Sequence, residues 1–197
     1  HHPLIFSPQN RITAEDFTGK RIIKLIANDI CCYASHTNFD VMGMGDEAAE
    51  RLALEERSVL EITFEDELSQ EGIGRVGILP ECMTLRECAS YVKETFDLDT
   101  VKVFGEEDRK VRKAAVVPGA GKDYIRQAVR AGADVYITGD IGHHDGIDAL
   151  EQGLTIIDAG HFGVEQIFVP YMKEFLSREL PSLHLLSARQ QEPFWYE

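Results

Sequence analysis

No stretch of this chain approaches the roughly 18 consecutive apolar residues that a membrane span needs. Nor does the N-terminus carry a basic region followed by an apolar run, so nothing reads as a secretory signal. Cysteine is scarce, limited to Cys31, Cys32, Cys82 and Cys88. Adjacent Cys31 and Cys32 would point to opposite faces of a strand, and no CxxC occurs, which leaves a zinc ribbon or a thioredoxin-like motif unsupported. Reduced thiols in a cytoplasmic protein are the expectation. Positive charge is also short, with 20 Lys and Arg against 34 Asp and Glu and a formal net charge of -14. That balance argues against a nucleic-acid groove, because a phosphate backbone is held mainly through Lys and Arg. An anionic substrate would need a metal or a local cationic pocket to offset the general repulsion. Internal repeats, low-complexity tracts and an obvious linker are absent as well.

What remains is the composition of a soluble globular domain, 44% hydrophobic and 27% charged. A length of 197 residues suits one sizeable domain or two small lobes sharing a core. Apolar spacing predicts an amphipathic helix over 16–28. A buried strand is expected at 30–35, and a helix over 46–56 with Asp46 as its N-cap. Strands follow at 58–64 and 73–79, separated by an acidic loop. Thr84 and Glu87 form a capping box for a helix reaching residue 96. Beyond it come strands at 101–104 and 113–117, the turn Pro118-Gly119-Ala120-Gly121, and a helix over 122–131. A strand over 133–140, a helix over 144–152 and a strand over 154–158 continue the series. A long helix then runs to residue 179, and a strand at 183–187 closes the chain. This alternation predicts an α/β fold in which the second half forms βαβ units with parallel pairing. Residues 58–103 are the best candidate for a sub-lobe within a single domain.

Polar residues gather in short clusters at the predicted strand ends, where α/β proteins place functional groups. His161 and Glu165, four apart at a helix start, share one face, as two ligands of one metal would. The same spacing also describes a solvated surface pair. Gly160 and Gly163 leave that face open to approach. His1-His2 begins the chain; paired histidines there also fit a purification-tag remnant, but Pro3-Leu4-Ile5-Phe6 reads as core rather than as a polar linker. The chain opens on His rather than Met, and its first residues resemble the end of a buried strand, so a preceding segment is expected to be missing. Asp40 follows His36-Thr37-Asn38 and suits either a turn cap or a carboxylate ligand. His143 and His144 follow Thr138-Gly139-Asp140. They would line a pocket or move a proton, while Asp140 or a neighbour would cap the helix. Gly119-Ala120-Gly121-Lys122 is not a P-loop, because Val116 and Asp123 stand where the motif needs Gly and Ser or Thr.

In order and nearly unaltered, these segments resemble those of the Ngg-interacting factor three-like family, the GTP cyclohydrolase I type 2 homologues. The matching stretches are His1-His2-Pro3-Leu4-Ile5-Phe6, His36-Thr37-Asn38-Phe39-Asp40, Thr138-Gly139-Asp140 and the run from Asp158 to Glu165. The resemblance extends to Glu192-Pro193-Phe194. It implies a two-lobed α/β subunit with mixed or parallel sheets flanked by helices, and a homohexamer. It also implies two divalent metal ions per subunit held by His1, His2, Asp40, His161 and Glu165. Imidazole and carboxylate ligands suit Zn, Fe, Mn or Ni. The implied chemistry is hydrolysis of a nucleotide or another small molecule, with His143 or His144 handling a proton. A non-catalytic metal-handling or regulatory protein would use the same site. Family members carry a helix and a strand ahead of the His pair, and the spacing here matches their short form, without the large insertion.

Overall fold

The computed structural model describes residues 4, 8–192, 194 and 195. His1 and His2 therefore lie outside the described residues. The chain divides into two compact units, His1–Phe39 and Asp40–Glu197.

In the first unit, helix α1 spans Phe17–Ala27, opened by Asp16, whose carboxylate accepts from the Gly19 amide at 2.7 Å. Residues 30–35 do not form the expected strand. Their β-branched and aromatic content favours extended backbone, but a strand exists only where a neighbour completes its ladder. The His36 amide donates to Asn38 Oδ1 at 2.9 Å. That Asx-type bond turns the chain into the short helix α2, Thr37–Phe39.

The second unit begins with a π-helical turn, Asp40–Met44, that continues into α3, Gly45–Arg51. Asp46 is consequently not an N-cap but lies in the first turn of α3. Its carboxylate instead grips the buried guanidinium of Arg75, with Nε–Oδ1 at 2.5 Å and Nη2–Oδ2 at 2.7 Å. Arg75 Nη1 donates to the carbonyls of Gly72 and Gly74. A buried charge is tolerable when paired and hydrogen-bonded in this way.

The remaining elements are β1 Glu55–Glu65, β2 Gln70–Thr84, α4 Leu85–Phe96, β3 Lys102–Phe104, β4 Lys110–Ala120, α5 Ile125–Arg130, β5 Val135–Gly139, α6 His143–Glu151, β6 Thr155–Asp158, α7 His161–Glu165 and α8 Phe168–Glu179. The acidic loop expected between β1 and β2 shrinks to a tight turn. There Asp66 Oδ1 accepts from the amides of Leu68 and Ser69, both at 2.8 Å. No strand forms at 183–187. The last predicted helix is also broken, at Gln166 and Ile167, into α7 and α8.

One six-stranded mixed sheet, in the order β1-β2-β4-β5-β6-β3, carries this unit. β1, β2 and β4 pair antiparallel; β4, β5 and β6 pair parallel; β3 returns antiparallel along β6. The parallel trio is the βαβ pattern that the sequence predicts. Every residue of β5 and β6 is buried, as strands covered on both faces should be. Tyr136, Ile137, Ile156 and Ile157 fill the centre of the core. The phenol of Tyr136 is satisfied by donating to the Gly121 carbonyl at 2.8 Å. Ala120 pairs with Gly139, and Thr138 with Asp158, so the carboxyl ends of the three parallel strands form one ledge.

Candidate metal centre

The ledge positions the functional side chains. At the end of β5 an added Cβ on Gly139 would sit 2.5 Å from the His161 amide nitrogen, so only glycine lets the start of α7 come this close. The next residue, Asp140, turns with a φ of 58°. Asp is among the few side chains that visit this left-handed region. Asp158, buried at the end of β6, fastens the surrounding loops. Its Oδ1 accepts from the Gly160 amide at 3.1 Å, and its Oδ2 from the Ile141 amide at 3.0 Å. Lys102 Nζ, on β3, stands 2.8 Å from the same Oδ2.

His161 is held on both sides. Its Nδ1 lies 2.7 Å from Asp140 Oδ2, and its Nε2 lies 3.2 Å from Glu165 Oε2. An ionised carboxylate can only accept, so Nδ1 carries the proton that bonds Asp140. In the neutral ring Nε2 is then an acceptor facing another acceptor, Glu165. Two acceptors at this distance need a cation between them or a proton on Nε2. Burial, the largest single influence on this imidazole, lowers its pKa. The hydrogen bond that His161 donates to Asp140 and the charges of Glu165 and Asp140 outweigh it, and the value ends above the ordinary one.

Gly119 floors the pair. A Cβ there would lie 2.4 Å from Glu165 Oε1 and 3.6 Å from His161 Nε2, and its φ of +78° disfavours any other residue. The glycine-rich turn that fails as a P-loop thus makes room for the Glu165 carboxylate.

Asp40, half-buried, lies at the start of the π-helical turn in this same unit. Its charge is felt by Tyr124, whose phenol is pushed up first by burial and then by the carboxylates of Asp123, Glu61 and Asp40. Among the described residues no group of three or more His, Cys, Asp or Glu gathers as a complete metal site. The structure brings His161 and Glu165 together; Asp40 stands at the start of the π-helical turn, and His1 and His2 fall outside the described residues. His143 and His144 are exposed at the start of α6, with their rings edge to face at 5.5 Å. The N-cap of α6 is Gly142, with no side-chain bond, so Asp140 does not cap it. Sequence reasoning missed Asp140 as the partner of His161; its position at the end of the Thr138-Gly139-Asp140 segment was the available signal.

The fold and the ledge define a mixed α/β protein with a histidine-carboxylate pair at the ends of its parallel strands. Residues 1–193 match the family model described as Duf34/NIF3 (NGG1p interacting factor 3), and the chain belongs to that family. A protein from Clostridium acetobutylicum named "GTP cyclohydrolase 1 type 2 homolog" is 38% identical over 204 residues, covering 100% of this chain and 76% of that protein. Among solved structures, a Bacillus cereus protein related to NIF3 superposes with a TM-score of 0.87 at 27% identity, over 100% of this chain and 82% of the other. Reduced HcgD from Methanocaldococcus jannaschii gives 0.73 at 34% identity, over 91% and 69%. Among the described residues no helix is long and apolar enough to cross a membrane.

Proposed function

We propose that this protein binds two divalent metal ions per subunit through His1, His2, Asp40, His161 and Glu165, and uses them as a hydrolase. The observation that carries the reading is the pair of acceptors at 3.2 Å, His161 Nε2 and Glu165 Oε2. In the neutral ring, with the proton on Nδ1, both atoms present lone pairs that one cation can take. Asp140 fits the same role, because a metal-bound histidine commonly donates its other N–H to a carboxylate.

When bound, divalent ions polarise a substrate oxygen and bring the pKa of a bound water toward neutrality. The chain's own residues do the rest. Asp140 fixes the ring of His161 so that Nε2 points at Glu165, and Gly119 keeps the Glu165 carboxylate in place. His143 or His144 moves a proton. Mixed imidazole and carboxylate ligation suits Zn, Fe, Mn or Ni. The name carried by the Clostridium relative makes a nucleotide the first substrate to try.

Elemental analysis of the purified protein and of Glu165→Ala tests the ligand set. Two ions per subunit should fall to one or none in the variant, and two retained ions would overturn it. A hydrolysis screen with GTP and each candidate metal then separates an enzyme from a metal-handling protein, which would bind and exchange the ions without turnover.

A further inference from the structure

Arg75, on β2, is a charged side chain sealed inside the second unit, 5% exposed. All of its guanidinium nitrogens are engaged. Nε and Nη2 meet the two carboxylate oxygens of Asp46, and Nη1 donates to the carbonyls of Gly72 and Gly74 at 3.0 and 2.8 Å. A two-point grip of this kind sets direction as well as distance, because the planar fork holds the carboxylate in its own plane. Apolar side chains of similar volume hold a fold at least as well as a buried ion pair. The use of the pair is therefore to be sought in what it orients.

What it orients is the helical run 40–51, the π-helical turn followed by α3. The turn has 5 residues and α3 has 7, and no side chain caps the start of α3. Helices this short do not hold themselves in water, so tertiary contacts decide how the run lies. Gly43, Met44 and Gly45 are buried. A Cβ added to Gly45 would sit 3.2 Å from the backbone of Gly74 and 3.3 Å from Arg75 Nη1. The run is thus seated directly on the stretch of β2 that Arg75 grips. Asp40 opens the run, and Asp46 lies in the first turn of α3. A change in the tilt of α3 is passed through the π-helical turn to Asp40. Such turns are rare and frequently sit at functional sites. The charge of Asp40 is felt at Tyr124, whose amide donates to the Gly121 carbonyl at 3.0 Å. Asp40 is therefore within electrostatic reach of the glycine-rich turn that floors the Glu165 carboxylate.

We propose that Arg75 is a positioning residue for the metal centre. Through Asp46 it sets the tilt of the run 40–51, and with it the place from which the Asp40 carboxylate meets a divalent cation. The ligand role of Asp40 rests on the proposed function; the anchoring of the run does not.

A double-mutant cycle on the full chain tests this, with Zn²⁺ affinity measured by competition with a chelator. Lysine keeps the charge of Arg75 and loses its fork. Arg75→Lys should weaken Zn²⁺ binding about 10- to 100-fold, and Asp40→Ala should weaken it at least as much. A residue that acts through Asp40 has nothing left to act on in the double variant, which should bind no more weakly than Asp40→Ala. A merely structural loss would instead multiply the two effects. Hydrogen exchange of the metal-free Arg75→Lys protein should be faster over 40–46 and unchanged in β5. Asp46→Asn, which leaves Arg75 its two glycine carbonyls, takes the place of Arg75→Lys in the cycle should that variant not fold. Multiplied effects, or Zn²⁺ binding that both anchor variants leave unchanged, overturn the positioning role alone. Unchanged affinity in Asp40→Ala removes Asp40 from the ligand set and the positioning role with it. A wild-type chain that binds no Zn²⁺ overturns the proposed function and this role together.

Discussion

The imidazole of His161 is fixed at both nitrogens, and the carboxylate on Nδ1 decides what Nε2 can do. Asp140→Asn isolates that contribution, because Asn tolerates the left-handed φ of 58° while its amide can donate as well as accept. The tautomer is then no longer set. Metal affinity should fall by about 10- to 100-fold, measured by competition with a chelator, with the circular dichroism spectrum unchanged. The raised pKa of His161 gives a second test. In metal-free protein the protonated ring stabilises the fold fully below about pH 6.5, the ordinary histidine value. That contribution is lost as pH rises through the higher folded value. Metal acts in the opposite sense, since the ligand must lose its proton, so affinity should weaken as pH drops through the folded value. An NMR titration of the His161 resonances without metal checks the direction, and a midpoint below the ordinary value would refute it.

At the scale of elements, local signals carry furthest where the chain needs no distant partner. The capping box is one case. The Thr84 amide donates to Glu87 Oε2 at 2.7 Å, and the Glu87 amide to Thr84 Oγ1 at 3.2 Å, as four residues of sequence imply. Thr84→Ala should cost about 1 kcal/mol of stability, read from the urea midpoint. The parallel trio β4, β5 and β6 was legible for a similar reason, since strand and helix alternate at short spacing. Residues 30–35 and 183–187 misled because composition favours extension but cannot supply a neighbouring strand. Asp46 misled because its partner, Arg75, is 29 residues away. In the candidate site, the His161 and Glu165 pair follows from helical periodicity. Asp140 and Gly119 reach it only through strand pairing and a left-handed turn, which no local pattern specifies.

For the whole molecule, a net charge of -14 keeps most of the surface solvated. Apolar side chains nonetheless stand exposed on and after α8, including Phe175, Leu180, Leu183 and Leu186. Such groups suit contacts between subunits. The homohexamer implied by the family resemblance predicts a light-scattering mass six times that of the 22.1 kDa chain. A monomer mass at micromolar concentration would rule that assembly out.

The sheet ends on one side in β3, a three-residue edge strand whose Lys102 Nζ lies 2.8 Å from the carboxylate of Asp158 at the end of β6. Short edge strands belong to the part of a fold that opens first, while buried strands such as β6 exchange their amides only on global unfolding. The ion pair thus ties one end of the stability range to the other. Loosening it leaves β6 as it is and lets β3 open more often, so the loss becomes visible as faster exchange of the β3 amides with no change in the core.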